Sequence, residues 1–363
     1  MYLYLTKRIL LIIPTLFLIM LVNFLIIQSA PGGPVEILIN SLNHPSGQVA
    51  GETAIINHDI HLTSTGASGN IKYRGSQGID PEIISKIEKI YGFDLPLWQR
   101  FWLMMKKYLT FDFGNSFYQD KSVINLVIER LPVSISLGMW ATLLVYLISI
   151  PLGIKKAVSN GSKFDIYSST IVIIGYAIPS FLFAIFLMVL FCGGNFFSIF
   201  PLRGLTSDHF SDFTWWHKIT DYFWHLFLPV LAMVIGGFAS LTFLCKNSFL
   251  EEINKQYVIA ARAKGLNQQQ ILYRHIFRNA LLIVISGFPA ALIGVIFTSG
   301  VLIEIIFSLN GLGLLGFEAA VSRDYPVMFG TLYFFTLLGL ISSIISDLTY
   351  RLVDPRINFE NRK

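Results

Sequence analysis

Charge is what this chain has least of. Asp, Glu, Lys and Arg make up 13% of its 363 residues, against 54% hydrophobic residues, and the mean hydropathy is +0.62. A soluble globular protein carries about 25% charge, so this composition excludes that class and indicates a polytopic membrane protein. Cysteine is nearly absent too. Cys192 and Cys245 sit near the ends of two apolar runs, with neither a disulfide framework nor metal-ligand spacing around them. No GxxxxGK[ST] run is present to cradle phosphate, which closes that route to ATP hydrolysis by this chain. Nor does any apolar run hold a zinc-type His/Glu pattern, a Ser/Lys pair or two facing aspartates, as an intramembrane peptide-acting enzyme would need. No tandem unit of about 20 to 50 residues recurs.

What is present is a set of long apolar runs. A hydrocarbon core of about 30 Å takes about 20 helical residues to cross. Six segments qualify: Ile9 to Gln28, Val133 to Ile154, Tyr167 to Phe191, Leu226 to Leu244, Ala280 to Ile303, and Val327 to Ser346. The first follows Lys7 and Arg8 and precedes Ser29-Ala30, as in a signal peptide. Its length exceeds the usual apolar core of about 7 to 15 residues, so it reads as a retained helix. The expected fold is an all-α integral membrane protein with six transmembrane helices.

With the N-terminus inside, more than half of the 27 Lys and Arg residues fall on the inner side, among them Lys7, Arg8, Lys155, Lys156, Lys163, Lys246, Lys255, Arg262, Lys264, Arg274 and Arg278. The positive-inside rule therefore places both termini in the cytoplasm. The net charge of +5 is explained by this asymmetry and calls for no nucleic-acid partner. Spans one to five carry no charge in their centres, and Glu304 and Asp347 lie at the ends of the fifth and sixth. This disfavours a proton-coupled secondary transporter.

The chain divides into residues 1–29, a first external segment at 30–131, and a core at 132–363. In the external segment, 41–79 is rich in Gly, Ser, Asn, Thr and His and reads as a flexible insert. Beyond it, Ile83, Ile84, Ile87 and Ile90, then Trp98, Phe101, Trp102 and Met105, fall at helical spacing. They predict two short amphipathic surface helices. A second external loop, residues 193–225, carries Trp215, Trp216 and Trp224. Between the fifth and sixth spans, Gly311, Gly313 and Gly316 make the segment too glycine-rich for a regular element, which predicts irregular backbone packed at a pore mouth. Pro151, Pro179, Pro229 and Pro289, with Gly175, Gly236, Gly237 and Gly294, are bend and close-packing positions inside spans. Gly175, Pro179, Pro289 and Gly294 are the candidate pathway residues; Asn310, Gly311 and Gly313 are the candidate external gate.

The most informative stretch is polar and runs from about 247 to 280. Ser248 with Glu251 and Asn267 with Gln270 read as two capping boxes, and Gly265 as the stop of the first helix. Phe249, Ile253, Tyr257, Ala260 and Ala261 fall on one face, with Glu252, Lys255, Arg262 and Lys264 expected in solvent.

YVIAARAKGL followed by RHIFRNAL resembles the EAA loop of the membrane subunits of binding-protein-dependent ABC importers, in the form of their dipeptide and oligopeptide branch. APGGP, GFDLPLWQRF, DFGNSF, ERLPVSISL, FSLNGLG, RDYPVMFG and DPRINF agree with that family across nearly the whole chain outside 41–79. APGGPVE and GYAIPSFLFA are most similar to its YejB-type permeases. The resemblance implies the type I importer permease fold, with a coupling helix that docks on an ATP-binding subunit. By position, the motif's Glu-Ala-Ala falls on Ile259, Ala260 and Ala261, and its glycine on Gly265. Tyr257, Arg262 and Lys264 complete the candidate coupling site. No cofactor is expected on this chain, since ATP and Mg would sit on the partner. The implied partners are a second permease subunit, one or two ATP-binding subunits, a periplasmic solute-binding protein, a peptide or peptide-like substrate and the lipid bilayer. A nickel importer built on a similar permease is the nearest alternative.

Overall fold

Apolar runs this long have one economical way to satisfy their backbone away from water, which is the helix. The computed structural model describes residues 2–29, 95–193, 196–294 and 300–353, and these are helical with no strand. In order they form α1 (Tyr2–Ser29), α2 (Leu97–Leu109), α3 (Val123–Val158), α4 (Lys163–Ala177), α5 (Ser180–Phe191), α6 (Trp215–Ile253), α7 (Gln256–Ala263) and α8 (Gln268–Ile271). A π turn (Leu272–Ile276) follows, then α9 (Phe277–Ala280), α10 (Leu282–Ser286), α11 (Phe288–Gly294), α12 (Gly300–Ile306), α13 (Leu312–Ser322) and α14 (Tyr325–Val353).

Five stretches are long and apolar enough to cross a membrane: Thr6–Ile26, Val123–Val158, Trp215–Ile253, Gln268–Leu292 and Tyr325–Thr349. Counted as one span, the bent α4–α5 pair brings the number to six. That third span is not straight, because α4 and α5 meet at 88°. Pro179 explains the break: it cannot donate to the previous turn, and it pushes Ile178 out of the helical region to φ −84°, ψ 119°. The fifth span is likewise built from short pieces, α8 to α11.

Two further expectations are corrected and a third is met in part. The second external loop is shorter than its sequence suggested, because α6 starts at Trp215 and runs 39 residues, about 58 Å of helix. Trp215 and Trp216 stand exposed at its first turn. The glycine-rich segment after the fifth span is not irregular throughout: from Leu312 it is helix α13. Its glycines permit close packing, since a Cβ at Gly313 would lie 2.8 Å from Val301. Finally, of the two surface helices α2 forms, burying Phe101, Met105 and Tyr108 while Trp98 and Trp102 stay exposed. The other, at 83–90, the insert at 41–79, and DPRINF lie outside the described residues.

Packing divides the chain into two units. The first is Met1–Arg8, Arg130–Leu314 and Leu338–Lys363. Its core gathers Leu137, Ala141 and Val145 of α3, Ala184 and Leu187 of α5, and Leu228, Ala232, Cys245 and Phe249 of α6. Helices α3 and α6 approach closely at Gly153, where a Cβ would stand 2.7 Å from the Cys245 Cβ and 2.9 Å from the Thr242 carbonyl. Small residues allow such contact between spans. The Arg8 guanidinium pairs with Asp347 at 3.1 Å, which joins the start of α1 to the later part of α14.

The second unit is Ile9–Glu129 and Leu315–Leu337. It is aromatic: Phe101 meets Phe17 and Phe24, and Tyr108, Phe113 and Tyr333 form a cluster with centroids 4.9 to 5.6 Å apart. An apolar hollow of about 880 Å³ opens between Leu16, Phe17, Trp102, Met105 and Tyr333. Asp324 is among the buried polar residues of this unit, and it accepts from Ser116 Oγ at 2.5 Å and from the Phe117 amide. Burial raises the Asp324 carboxyl above the usual carboxylate range.

Candidate functional site

The polar stretch at 247–280 is a folded part of the first unit. The first expected cap is absent, because α6 continues through Ser248 and Glu251 to Ile253. With Cys245 and Phe249 fully buried on its inner face, packing favours propagation over a stop. Ser248 donates instead to the Ala280 carbonyl at 2.6 Å, joining α6 to α9.

The turn after α6 is held by Glu252. This residue is buried, not solvated as its sequence position suggested. One carboxylate oxygen accepts from Lys255, and the other from Tyr257 Oη at 2.6 Å. Asn279 Nδ2 donates to the same Tyr257 hydroxyl at 3.4 Å. Both ends of the loop are therefore clamped to the last turn of α6. Burial, and then the neighbouring carboxylate, push the Tyr257 hydroxyl up to about 12. The hydrogen bond to Glu252 holds the Lys255 ammonium above its usual value.

Helix α7 ends as its sequence predicts. Gly265 has φ +80°, the left-handed conformation that costs other residues about 1 kcal/mol or more. Its amide donates to Arg262 O at 2.9 Å, and the Leu266 amide to Ala261 O at 3.3 Å, the paired bonds of a Schellman stop. The second capping box forms as written: Asn267 accepts from the Gln270 amide at 2.7 Å, and Gln270 accepts from the Asn267 amide at 3.1 Å.

The faces of α7 differ from the expected pattern. Phe249, Val258 and Ala261 are buried in the chain's own core, so Ala261 is not on the outer surface. What α7 presents outward is Ile259, 61% exposed, with Ala260, Arg262, Lys264 and Gly265. Tyr273, Arg274 and Arg278 are exposed further along. The outer surface is thus basic with two apolar projections, Ile259 and Tyr273.

The remaining candidates do not converge on one site. Gly175 faces Ile235 and Phe238 of α6, and the Pro289 carbonyl accepts from Ser342 of α14 at 2.9 Å. Pro179 stands exposed at the break, and Gly294 has open space around it. Asn310 is exposed, whereas Gly311 and Gly313 are buried around Glu304. That carboxylate is wholly buried and accepts from Ser134 Oγ at 2.9 Å and the Leu314 amide at 2.7 Å. A Cβ on Gly311 would overlap it. Among the described residues no group of three or more His, Cys, Asp or Glu could hold a metal ion.

Five long apolar helices, or six spans if the bent α4–α5 pair is counted as one, together with a clamped polar helix pair after α6 define a polytopic helical membrane protein. The chain belongs to the family of binding-protein-dependent transport system inner membrane components, whose model matches residues 149–359. It is 57% identical to the inner membrane ABC transporter permease protein YejB of Escherichia coli O157:H7, over 99% of each chain. It is 56% identical to the peptidoglycan transport system permease protein YejB of Agrobacterium fabrum, again over 99% of each. The oligopeptide transport system permease protein OppB of Haemophilus influenzae is more distant, at 27% identity over 97% of this chain and 98% of that one. Among solved structures, an inward-facing MetNI methionine ABC transporter matches with a TM-score of 0.50 and 18% identity. That match covers 63% of this chain and 97% of the other, and it shows a shared fold.

Proposed function

We propose that this chain is one half of the translocation pathway of an ABC importer for peptides or peptide-like compounds, moved by a separate ATPase through the 247–280 loop. The observation that carries this reading is the Glu252–Tyr257–Asn279 clamp. A loop fixed to α6 at both ends moves with it as one body, which a lever requires. The exposed Ile259–Ala260 edge, flanked by Arg262 and Lys264, suits a groove on an ATP-binding subunit through shape and apolar contact. Ile259 replaces a charged residue of the motif with an apolar projection.

In this reading both termini are cytoplasmic and the segment from 30 is a long periplasmic loop. The Arg8–Asp347 pair supports it by joining the two ends of the bundle, as an even number of spans requires. The partners are a second homologous permease, one or two ATP-binding subunits carrying ATP and Mg, and a periplasmic solute-binding protein. Fragments of peptidoglycan are the substrate toward which the Agrobacterium relative's name points. The test is uptake into liposomes holding the whole complex with its binding protein, with ATP and a proton gradient supplied separately. ATP alone is expected to drive uptake, and Arg262→Glu to abolish it while the chain stays in the membrane. Uptake on a gradient without ATP would overturn the reading.

A further inference from the structure

Less than two turns before Glu252, α6 enters a charged cluster buried between three helices. Lys156, near the end of α3, has a side chain with no exposure. Its Nζ donates to Ser169 Oγ at 2.6 Å, Ser168 Oγ at 2.9 Å and the Asp165 carbonyl at 3.1 Å, and lies 3.2 Å from Asp165 Oδ1. Lys246 of α6 reaches both Asp165 carboxylate oxygens, at 2.8 and 2.7 Å. The Gly161 amide adds a bond to Oδ2 at 3.1 Å, and Ser162 caps α4 by accepting from the Asp165 amide at 3.3 Å. One carboxylate thus ties together the end of α3, the first turn of α4 and the last third of α6.

Cohesion alone does not account for this arrangement. Two cations face one anion in a site nearly closed to water, where apolar side chains of similar volume would hold the helices at least as well. Directional bonds add register. Apolar surfaces can slide by a rotamer, whereas a carboxylate fixed by Lys156 and the Gly161 amide and also bound by Lys246 narrows the alignments open to α6 on α4. The clamp at Glu252 and the cluster at Lys246 lie on the same unbroken helix. Displacing the loop therefore displaces Lys246, and α4 is the first half of the span that breaks at Pro179.

We propose that Lys246 and Asp165 are positioning residues for import, forming the joint through which movement of the loop reaches the second and third spans. This rests on the loop being where an ATPase acts. Lys246→Gln is the informative variant, because it leaves Lys156 and Asp165 as a neutral, fully bonded buried pair, so the chain still folds. In liposomes holding the complete transporter and its binding protein, the readout is peptide imported per ATP hydrolysed. Lys246→Gln is expected to assemble with unchanged thermal stability and ATP hydrolysis and to lose about tenfold in that ratio, within the range of coupling energies between sites. Lys246→Arg, which keeps charge and reach, is expected to recover most of it. A wild-type ratio in Lys246→Gln, or lower stability with the ratio intact, would overturn the proposal. Arg262→Glu measured in parallel separates the two ideas. If it imports normally, the loop reading fails; if it uncouples while Lys246→Gln does not, the joint alone fails.

Discussion

Each unit of this chain adds something different to its apolar packing: clustered aromatic rings in the second, buried ion pairs in the first. In the second, Phe101 with Phe17 and Phe24, and Tyr108 with Phe113 and Tyr333, pack ring against ring. In the first, charges and hydrogen bonds fix specific points: Glu252 to Tyr257 and Lys255, Asp165 to Lys156 and Lys246, Glu304 to Ser134 and the start of α13. Ring packing supplies cohesion through area and tolerates small slips. Buried polar joints supply less net stability but define register. On the proposed function, the difference separates a region that has to stay together from one that has to move as a body.

Variants can break that comparison. The largest expected effect is in the aromatic unit, where Phe101→Ala removes a ring only 1% exposed and costs about 3–5 kcal/mol. Thermal unfolding of the purified complex reads it, and whatever assembles is expected to import the normal amount of peptide per ATP. Glu252→Ala takes away the acceptor for Tyr257 and Lys255 and costs about 2 kcal/mol locally, read as about thirtyfold faster amide exchange over Gln256–Ala263. Here import is expected to fall while ATP hydrolysis persists, and an unchanged import ratio would remove the distinction between the units. Gly265→Ala places a Cβ at φ +80° and costs about 1.5 kcal/mol, and Asn267→Ala, which loses the capping box, about 1 kcal/mol. The first is read by the same exchange measurement over α7, the second by exchange over Gln268–Ile271.

A further effect is with pH. Tyr257 and Lys255 both titrate above their usual values in the folded loop, so both bind protons more tightly folded than unfolded. Their contribution is fully present below the ordinary tyrosine value of 10.0 and is lost as pH rises toward about 12. Amide protection of α7 is expected to be flat from neutrality to about pH 10 and to fall beyond it, with Tyr257→Phe removing part of the fall.

Much of this was legible in the sequence, for physical reasons that vary by element. The long apolar spans show because hydrocarbon demands such runs, and Gly265 and the Asn267–Gln270 box because caps are local chemistry. Ser248–Glu251 carries the same local signal and misleads, because the tertiary burial of Cys245 and Phe249 carries α6 through it. The break at Pro179 was visible only as a residue, since whether a proline in a span bends or snaps the helix depends on what packs beside it. The residues missed altogether were the joints. Glu252 reads as one more charge on a polar helix, and Lys156, Asp165 and Lys246 as ordinary charged flanks. Their pairing spans 81 residues of sequence between Asp165 and Lys246, a distance no local pattern encodes. Ala260 and Ala261 looked equivalent by type, yet one is exposed and the other buried.

That last difference sets the most direct test of the coupling loop. Single cysteines at position 260 and at position 261 are each paired with a cysteine in the groove of the ATP-binding subunit within the assembled transporter, and cross-linking is followed with and without nucleotide. A loop docked in that groove gives a nucleotide-sensitive cross-link from the exposed position 260 and none from the buried position 261. Absence of any cross-link from 260 in either state, with the complex intact, would contradict it.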